Sequence, residues 1–185
     1  AVRDWSCASG SEVLFPYDSS LSPELSSSAA KYLWPFRTNL INRRQFGKNT
    51  IEAGLAWFEY RSFYKSKRAT PLSITFAFVA THNHFVLDRG GKVFKQSAPI
   101  IKLPPTTTED DHYALLAYLN SSTACFWMKQ VFYPKGGDQM GDGGRVSATS
   151  WEDRYEFAGT GLQSLPVPPG IDVLAPLARR LSQLA

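Results

Sequence analysis

The sequence predicts an α+β fold, a small and mostly antiparallel sheet packed by helices. Three runs rich in β-branched and aromatic residues follow one another between residues 73 and 103, and three stretches with helical spacing lie beyond them. The chain has 185 residues, 43% of them hydrophobic and 19% charged, which is enough to bury roughly 70% of the unfolded surface around one core. The most apolar runs, at 74–80 and 114–119, fall well short of the roughly 18 residues that a membrane helix needs.

Residues 1–30 are Ser-rich, with turns expected at Pro16 and Pro23, and read as an N-terminal arm. Ser26 to Ser28 can cap a helix over about 29–46 that carries Tyr32, Leu33, Phe36, Leu40 and Ile41. Pro35 opposes it, and the alternative breaks the helix there and restarts it from Arg37. From Pro71 onward the runs SITFAFVA, HFVLD and KVFKQSAPIIKL predict three strands in an antiparallel meander. Gly90-Gly91 suits a hairpin that needs positive φ.

A helix follows in which Thr108 is the N-cap and Asp111 stands at the capping-box position, while the acids of the first turn favour the positive end of the dipole. Leu115, Leu116 and Leu119 form its expected buried stripe. The segment 120–122 can cap a second helix over 123–132, with Phe126 and Trp127 as packing residues; Trp57 is assigned to the core as well. Residues 135–145 hold five glycines in eleven positions, which predicts a flexible functional loop without regular structure. A short helix or strand at 151–157 leads to a final helix marked by Ile171, Leu174, Leu177, Ala178 and Leu181. The expected divisions are an arm at 1–30, a central domain at 31–168 and a C-terminal helix at 169–185.

Charge is unevenly placed. Residues 31–68 hold nine Lys or Arg against Glu52 and Glu59, a local balance of +7 within a chain whose net charge is +4. Such a surface suits a polyanion, because each neutralised phosphate releases condensed counterions. The aromatic residues Trp34, Phe36, Phe46, Trp57, Tyr60, Phe63 and Tyr64 are interleaved with these cations. The competing reading is a solvated basic face. Cys7 and Cys125 are sparse usage and read as free thiols of a reducing compartment, and no basic segment followed by an apolar one marks a secretory signal, so a cytoplasmic protein is expected. The first residue is not Met, which leads us to expect a piece of a longer chain.

Catalytic signatures are missing from the sequence. An amino-methyltransferase of DNA needs a Gly-rich cofactor turn and an Asn/Asp-Pro-Pro-aromatic tetrapeptide, whereas the Pro-Pro pairs here sit in Leu103-Pro104-Pro105-Thr106 and Val167-Pro168-Pro169-Gly170. No phosphate-binding Gly-rich Lys motif, Gly-x-Ser-x-Gly or Cys-x-x-Cys occurs. His82 and His84 share a strand face with Asp88, a spacing open to a metal, but His112 is the only other histidine and packing or hydrogen bonding is the commoner use. A metal-dependent nuclease is therefore disfavoured, and no metal ligands are assigned.

The run THNHFVLDRGGKVFKQSAPIIKLP, followed by HYALLAYLNSSTACFWMKQ and PKGG, resembles the target-recognition region of adenine-specific DNA methyltransferases of the type IIG restriction-modification kind. The large methyltransferases of BREX-type phage defence are the nearest likeness. Upstream, YLWPFRTNLINRR and GLAWFEY are similar to the same family, so the resemblance runs from about Trp5 to Pro168, with its specific core at 57–137. The step from strand to Leu-Asn-Ser helix, then Leu-Pro-x-Pro and a terminal helix, is also similar to the specificity subunits of type I systems.

The resemblance implies that residues 31–168 form a target-recognition domain that binds double-stranded DNA. A methyltransferase domain N-terminal to it would hold S-adenosylmethionine and flip the base, with no cofactor and no catalysis in this chain. It also implies antiviral restriction-modification biology. An alternative is a protein-interaction module that docks a defence-system partner or a phage inhibitor.

Residues that read bases do not carry over from such a family, so the candidates come from chemistry. Arg43, Arg44 and Gln45 form the densest set able to bridge guanine or adenine edges. Lys48, Lys65, Lys67 and Arg68 suit phosphate oxygens, which position a duplex without reading it. In the Gly-rich loop, Lys135, Gln139 and Arg145 could enter a groove, although Asp138 and Asp142 depart from a simple phosphate cradle. A basic cleft between 37–68 and this loop is the expected binding face. Asn83 is expected to have a role inside the sheet.

Overall fold

Pro35 divides the first helical segment, because a proline ring has no N–H to give the helix. In the computed structural model α1 (Ser27–Leu33) gives way to a 3-10 turn at Trp34–Phe36 and restarts as α2 (Arg37–Asn42). This is the second of the two readings of 29–46. The structure describes residues 2–3, 5–8, 12–68, 70–135, 138–140, 144–146 and 153–185, and of 138–140 and 144–146 the backbone alone. Contacts divide the chain into two units, Ser11–Ala69 and Ala1–Gly10 with Thr70–Ala185.

The unit Ser11–Ala69 is held by an aromatic cluster. Tyr17 stacks on Phe63 with ring centres 4.0 Å apart, and Phe15 meets Tyr60 and Phe63 edge-on. The Tyr60 N–H donates to the Tyr17 hydroxyl at 2.9 Å, and the Tyr60 hydroxyl donates to the Leu14 carbonyl. Burial raises the pKa of both phenols. Thr50 is fully buried; its hydroxyl donates to the Leu40 carbonyl at 2.7 Å and its N–H to that of Ile41 at 3.0 Å, closing the end of α2. Trp57 is half-buried here, edge-on to Trp34 and Phe58.

The other unit is the expected α+β arrangement of small antiparallel sheets packed by helices. A two-stranded ribbon, β1 (Val2–Arg3) and β2 (Ser6–Cys7), turns through Trp5. β3 (Ser73–Phe76) is followed by β4 (Val79–Ala80), β5 (Phe85–Asp88) and β6 (Ile100–Ile101). The main sheet has the order β5-β3-β6, with Ile74 opposite Leu87 on one side and Ile101 on the other. The expected meander is thus corrected: β6 pairs with β3 and not with β5. Gly90 and Gly91 do adopt positive φ, yet the chain leaving them crosses to the far edge of β3.

Two features explain that order. The Phe76 N–H donates to the Pro99 carbonyl, and Phe78 to Ser97, so this ladder uses acceptors of a segment whose proline cannot donate. On the other side, both outward backbone groups of Phe85 are taken by the side chain of Asn120, whose Oδ1 accepts at 2.9 Å and whose Nδ2 donates at 2.8 Å.

α3 (Glu109–Leu119) begins with the predicted capping box: Asp111 N–H donates to Thr108 Oγ1 at 3.1 Å and Asp111 Oδ2 accepts from Thr108 N–H at 2.7 Å. It buries His112, Tyr113, Ala114, Leu116 and Leu119, with Leu115 half-buried. α4 (Ser122–Val131) is capped by Ser121 and buries Ala124 and Met128. Phe126, expected in the core, is 69% exposed, because the i, i+4 stripe of α4 that faces inward is Ala124 and Met128; Trp127 packs half-buried against the core. Asn83 donates its amide to the carbonyls of Leu119 and Ser121 at 2.6 and 3.2 Å, tying the sheet to the end of α3.

Residues 138–140 and 144–146 hold regular structure where none was expected, since β7 (Asp138–Met140) pairs with β8 (Gly144–Val146). β9 (Tyr155–Glu156) pairs with β4, so the described part of the 151–157 segment contains a two-residue strand and no helix; residues 151–152 lie outside the described residues. After α5 (Gly159–Leu162), a 3-10 turn at Ile171–Leu174 runs into α6 (Ala175–Leu184), which buries Ala175 and Ala178. Cys7 and Cys125 are free thiols. Among the described residues no helix is long and apolar enough to cross a membrane.

Candidate nucleic-acid interface

The densest candidate set sits on a tight turn. Gln45 and Lys48 exchange backbone hydrogen bonds of 3.0 and 3.2 Å, and the residues between them, Phe46 and Gly47, have φ of 51° and 81°. Two successive positive φ values match a type I′ turn, whose twist suits a two-residue hairpin connection. The turn is braced from behind by Arg61, whose Nη2 donates to the Lys48 carbonyl at 3.0 Å and to that of Gln45 at 3.4 Å. Gln45 Nε2 donates to Ser62 Oγ at 2.6 Å, so this amide is engaged within the unit.

Neighbouring arginines have opposite fates. Arg43 turns inward, donating Nε to the Leu40 carbonyl and Nη2 to that of Glu59, each at 2.9 Å. Burial, and then the Arg61 charge, lower its pKa from the usual arginine value. Arg44 is exposed and makes one bond, from Nη1 to the Gly47 carbonyl at 3.2 Å. Lys48 is exposed as well.

Lys65, Lys67 and Arg68 lie on a 3-10 turn at Lys65–Arg68. Lys65 and Lys67 are exposed, with Lys67 Nζ 4.9 Å from the Tyr64 ring centre. Arg68 lies over Phe15 and Phe63 at 5.2 and 5.6 Å, so its guanidinium is part of the aromatic cluster. An open depression of about 510 Å³ is lined by Ser19, Ser20, Leu21, Lys65, Ser66 and Arg68. The Asp18 carboxylate accepts from the Ser20 hydroxyl and from the N–H groups of Ser20 and Ser22, which lowers its pKa, and the Lys65 charge lowers it further.

The local acids are spent on the backbone: Glu52 accepts from the Asn49 N–H at 2.7 Å and Glu59 from that of Ala56 at 2.6 Å. Among the described residues, no salt bridge involves Arg44, Lys48, Lys65 or Lys67. Four exposed cations on one unit, none of them in a salt bridge among the described residues and only Lys65 within reach of a carboxylate's charge, that of Asp18, can supply charge-assisted donors to phosphate oxygens.

The Gly-rich loop belongs to the other unit. Lys135 forms a salt bridge with Glu156 and is already compensated. Gln139 and Arg145 are register partners where β7 pairs with β8, and their side chains lie outside the described residues. His82 and His84 have ring centres 4.1 Å apart, and among the described residues no group of three or more His, Cys, Asp or Glu could hold a metal ion.

Sequence reasoning missed three residues here. Arg61 was counted as one cation among nine, and its bracing role depends on a contact 13 residues distant in sequence. Arg37 lies over Trp34 at 5.2 Å and Trp57 at 6.0 Å. Phe46 is 94% exposed at the tip of the turn. Its signal was available: a Phe-Gly pair between Arg44 and Lys48 has the glycine of a tight turn next to an apolar residue with nothing local to cover it.

No family model matches this chain. It is similar to the adenine-specific methyltransferase PglX of Streptomyces coelicolor (strain ATCC BAA-471 / A3(2) / M145), with 49% identity over 172 residues. That match covers 90% of this chain and 14% of the relative, so the similarity is to one segment of a much longer methyltransferase.

Proposed function

We propose that this chain is the DNA-reading segment of an adenine-specific methyltransferase: it binds duplex DNA selectively and presents an adenine to a catalytic domain elsewhere in the protein. The observation that carries the reading is the set of outward cations Arg44, Lys48, Lys65 and Lys67, whose neighbouring acids are bound to backbone N–H groups. Similarity to a methyltransferase segment supports it, because an enzyme acting on adenine in DNA needs a surface that holds the duplex.

Within this reading, residues 31–168 form the recognition domain, with an arm at 1–30 and a C-terminal helix at 169–185. Arg44 is the one member of the 43–45 set whose side chain is exposed to meet the duplex. Arg43 shapes the face from within, and Gln45 reads a base only by releasing Ser62. Lys48, Lys65, Lys67 and Arg68 position phosphates. Lys135, Gln139 and Arg145 are a second set of proposed duplex contacts, carried by the other unit. S-adenosylmethionine belongs to the catalytic domain, and the biology is cytoplasmic phage defence by restriction-modification of the BREX kind.

A second reading, a module that docks a defence-system protein or a phage inhibitor, is favoured by the exposed aromatics Tyr32, Trp34 and Phe36. Fluorescence anisotropy against random-sequence duplexes, followed by selection and sequencing of the bound fraction, separates the two. DNA reading predicts low-salt binding and an enriched adenine-containing sequence. A docking module predicts neither.

A further inference from the structure

Phe46 occupies a position that packing does not explain. It is 94% exposed, and its φ of 51° lies in the left-handed region that bulky side chains rarely adopt. The turn that carries it is nonetheless heavily secured, by the paired backbone bonds of Gln45 and Lys48, by Arg61 donating to both of their carbonyls, and by Arg44 donating to Gly47. An aromatic ring is thus held outward on a stiff stem at a conformational cost. Such strain persists where the surrounding structure over-determines it, and it concentrates at functional positions.

The residues flanking the ring decide what it meets. Arg44 and Lys48 stand on either side of it, both exposed, and Gly47 beside it leaves open space, with nothing within 4 Å of where a side chain would project. A partner protein is matched by a continuous apolar patch, whereas here the turn offers one ring between two cations. Two phosphodiester strands bordering a stack of bases have the complementary pattern, anionic edges around an apolar interior. We propose that Phe46 is a wedge that inserts between adjacent base pairs of bound duplex DNA, with Arg44 and Lys48 on the flanking phosphates. This rests on the duplex-binding reading above. The ring loses water from both faces on insertion, and the local unstacking kinks the duplex toward more of the basic surface.

The test uses the full-length protein and a short duplex selected by it from a random pool, with 2-aminopurine replacing one adenine at a time. The fluorescence of this base is quenched in the stack and rises when a neighbour is displaced. The adenine that the catalytic domain flips, and its immediate neighbours, are left out of the comparison; at the remaining positions the wild-type protein is expected to raise the signal at one or two adjacent sites. Phe46→Ala should abolish the rise and weaken binding about 5- to 150-fold, the loss of one stacked base, while the salt dependence of binding stays unchanged. Phe46→Trp should keep the rise.

Phe46→Asn supplies a control for folding, since asparagine tolerates positive φ. It should raise the melting temperature and still lose the signal, a combination that a misfolded variant cannot give. A signal that survives in Phe46→Ala, or that is absent at every position in the wild type, overturns the wedge while leaving duplex binding in place. Loss of binding to a protein partner in Phe46→Ala, with the DNA signal intact, overturns it in favour of docking. Failure of the wild-type protein to bind any duplex at low salt overturns the duplex reading itself, and the wedge falls with it.

Discussion

Asn120 acts on Phe85 as a missing strand would. Its carboxamide accepts the Phe85 N–H at 2.9 Å and donates to the Phe85 carbonyl at 2.8 Å, while Asn83, two residues before Phe85, donates to the carbonyls of Leu119 and Ser121. Strand edge and helix end are thereby satisfied together. This explains why the Asn-His-Phe and Leu-Asn-Ser segments occur as a pair in one sequence. Asn120→Ala leaves two backbone groups beside the fully buried Phe85 without partners, and should lower stability by about 1–3 kcal/mol for each group that water does not reach. Urea unfolding measures this, and a change below about 0.5 kcal/mol, the range of ordinary surface substitutions, would show that the bonds carry no weight.

Gly161 is required by volume. A Cβ there would meet the ring of Phe132, reaching within 2.7 Å of Cζ, and that ring is itself buried and edge-on to Phe157. Gly161→Ala should destabilise by about 1–3 kcal/mol through overpacking. Phe132→Leu in the same background relieves the contact, so the double variant should lose less than the sum of the two single changes in thermal unfolding.

Acid stability should depend on two caps. Asp111 accepts from the Thr108 N–H and hydroxyl, and Asp18 from Ser20 and Ser22, and these bonds hold both carboxyls below the ordinary aspartate pKa. A pKa lowered by folding gives stability that is complete above the unfolded value and is lost as pH falls through the folded one. The melting temperature of wild type should therefore drop on acidification below the ordinary aspartate range, and the drop should be shallower in Asp111→Asn. Parallel curves for the two proteins would contradict the assignment.

Arg43 and Arg44 should separate stability from binding. Arg43→Ala removes two bonds from a charged donor to main-chain carbonyls and should cost about 1.5–3 kcal/mol of stability. Arg44→Ala should change stability by less than about 0.5 kcal/mol, yet weaken duplex binding and lower the salt slope by about 1. Chemical denaturation and anisotropy on the same two variants check both halves.

The parts legible in the sequence were those set by local chemistry. The Thr108–Asp111 capping box and the break at Pro35 each depend on residues within one turn, so spacing alone reveals them. Strand order was not legible, because β6 reaches β3 across the chain and Asn120 takes the edge of β5 from a helix end. Phe126 misled because α4 is a short amphipathic helix whose inward stripe consists of a small and a flexible residue, Ala124 and Met128. At the candidate interface, composition showed the excess of cations but not their directions. Arg43 and Arg44 are adjacent and chemically alike, and only the carbonyls of Leu40 and Glu59 turn one of them inward. Phe46 counted only as one of the aromatics interleaved with the cations, because composition does not show which of them packs inside and which stands outward on a turn.

The most direct measurement is the salt dependence of duplex binding for wild type and for the variant in which Arg44, Lys48, Lys65 and Lys67 are all replaced by Ala. If these outward cations neutralise phosphates, the plot of log affinity against log salt should lose roughly 0.9 in slope for each side chain that meets one, with the fold unchanged by circular dichroism. Equal affinity and equal slope for the two proteins would contradict a DNA-binding face on this unit.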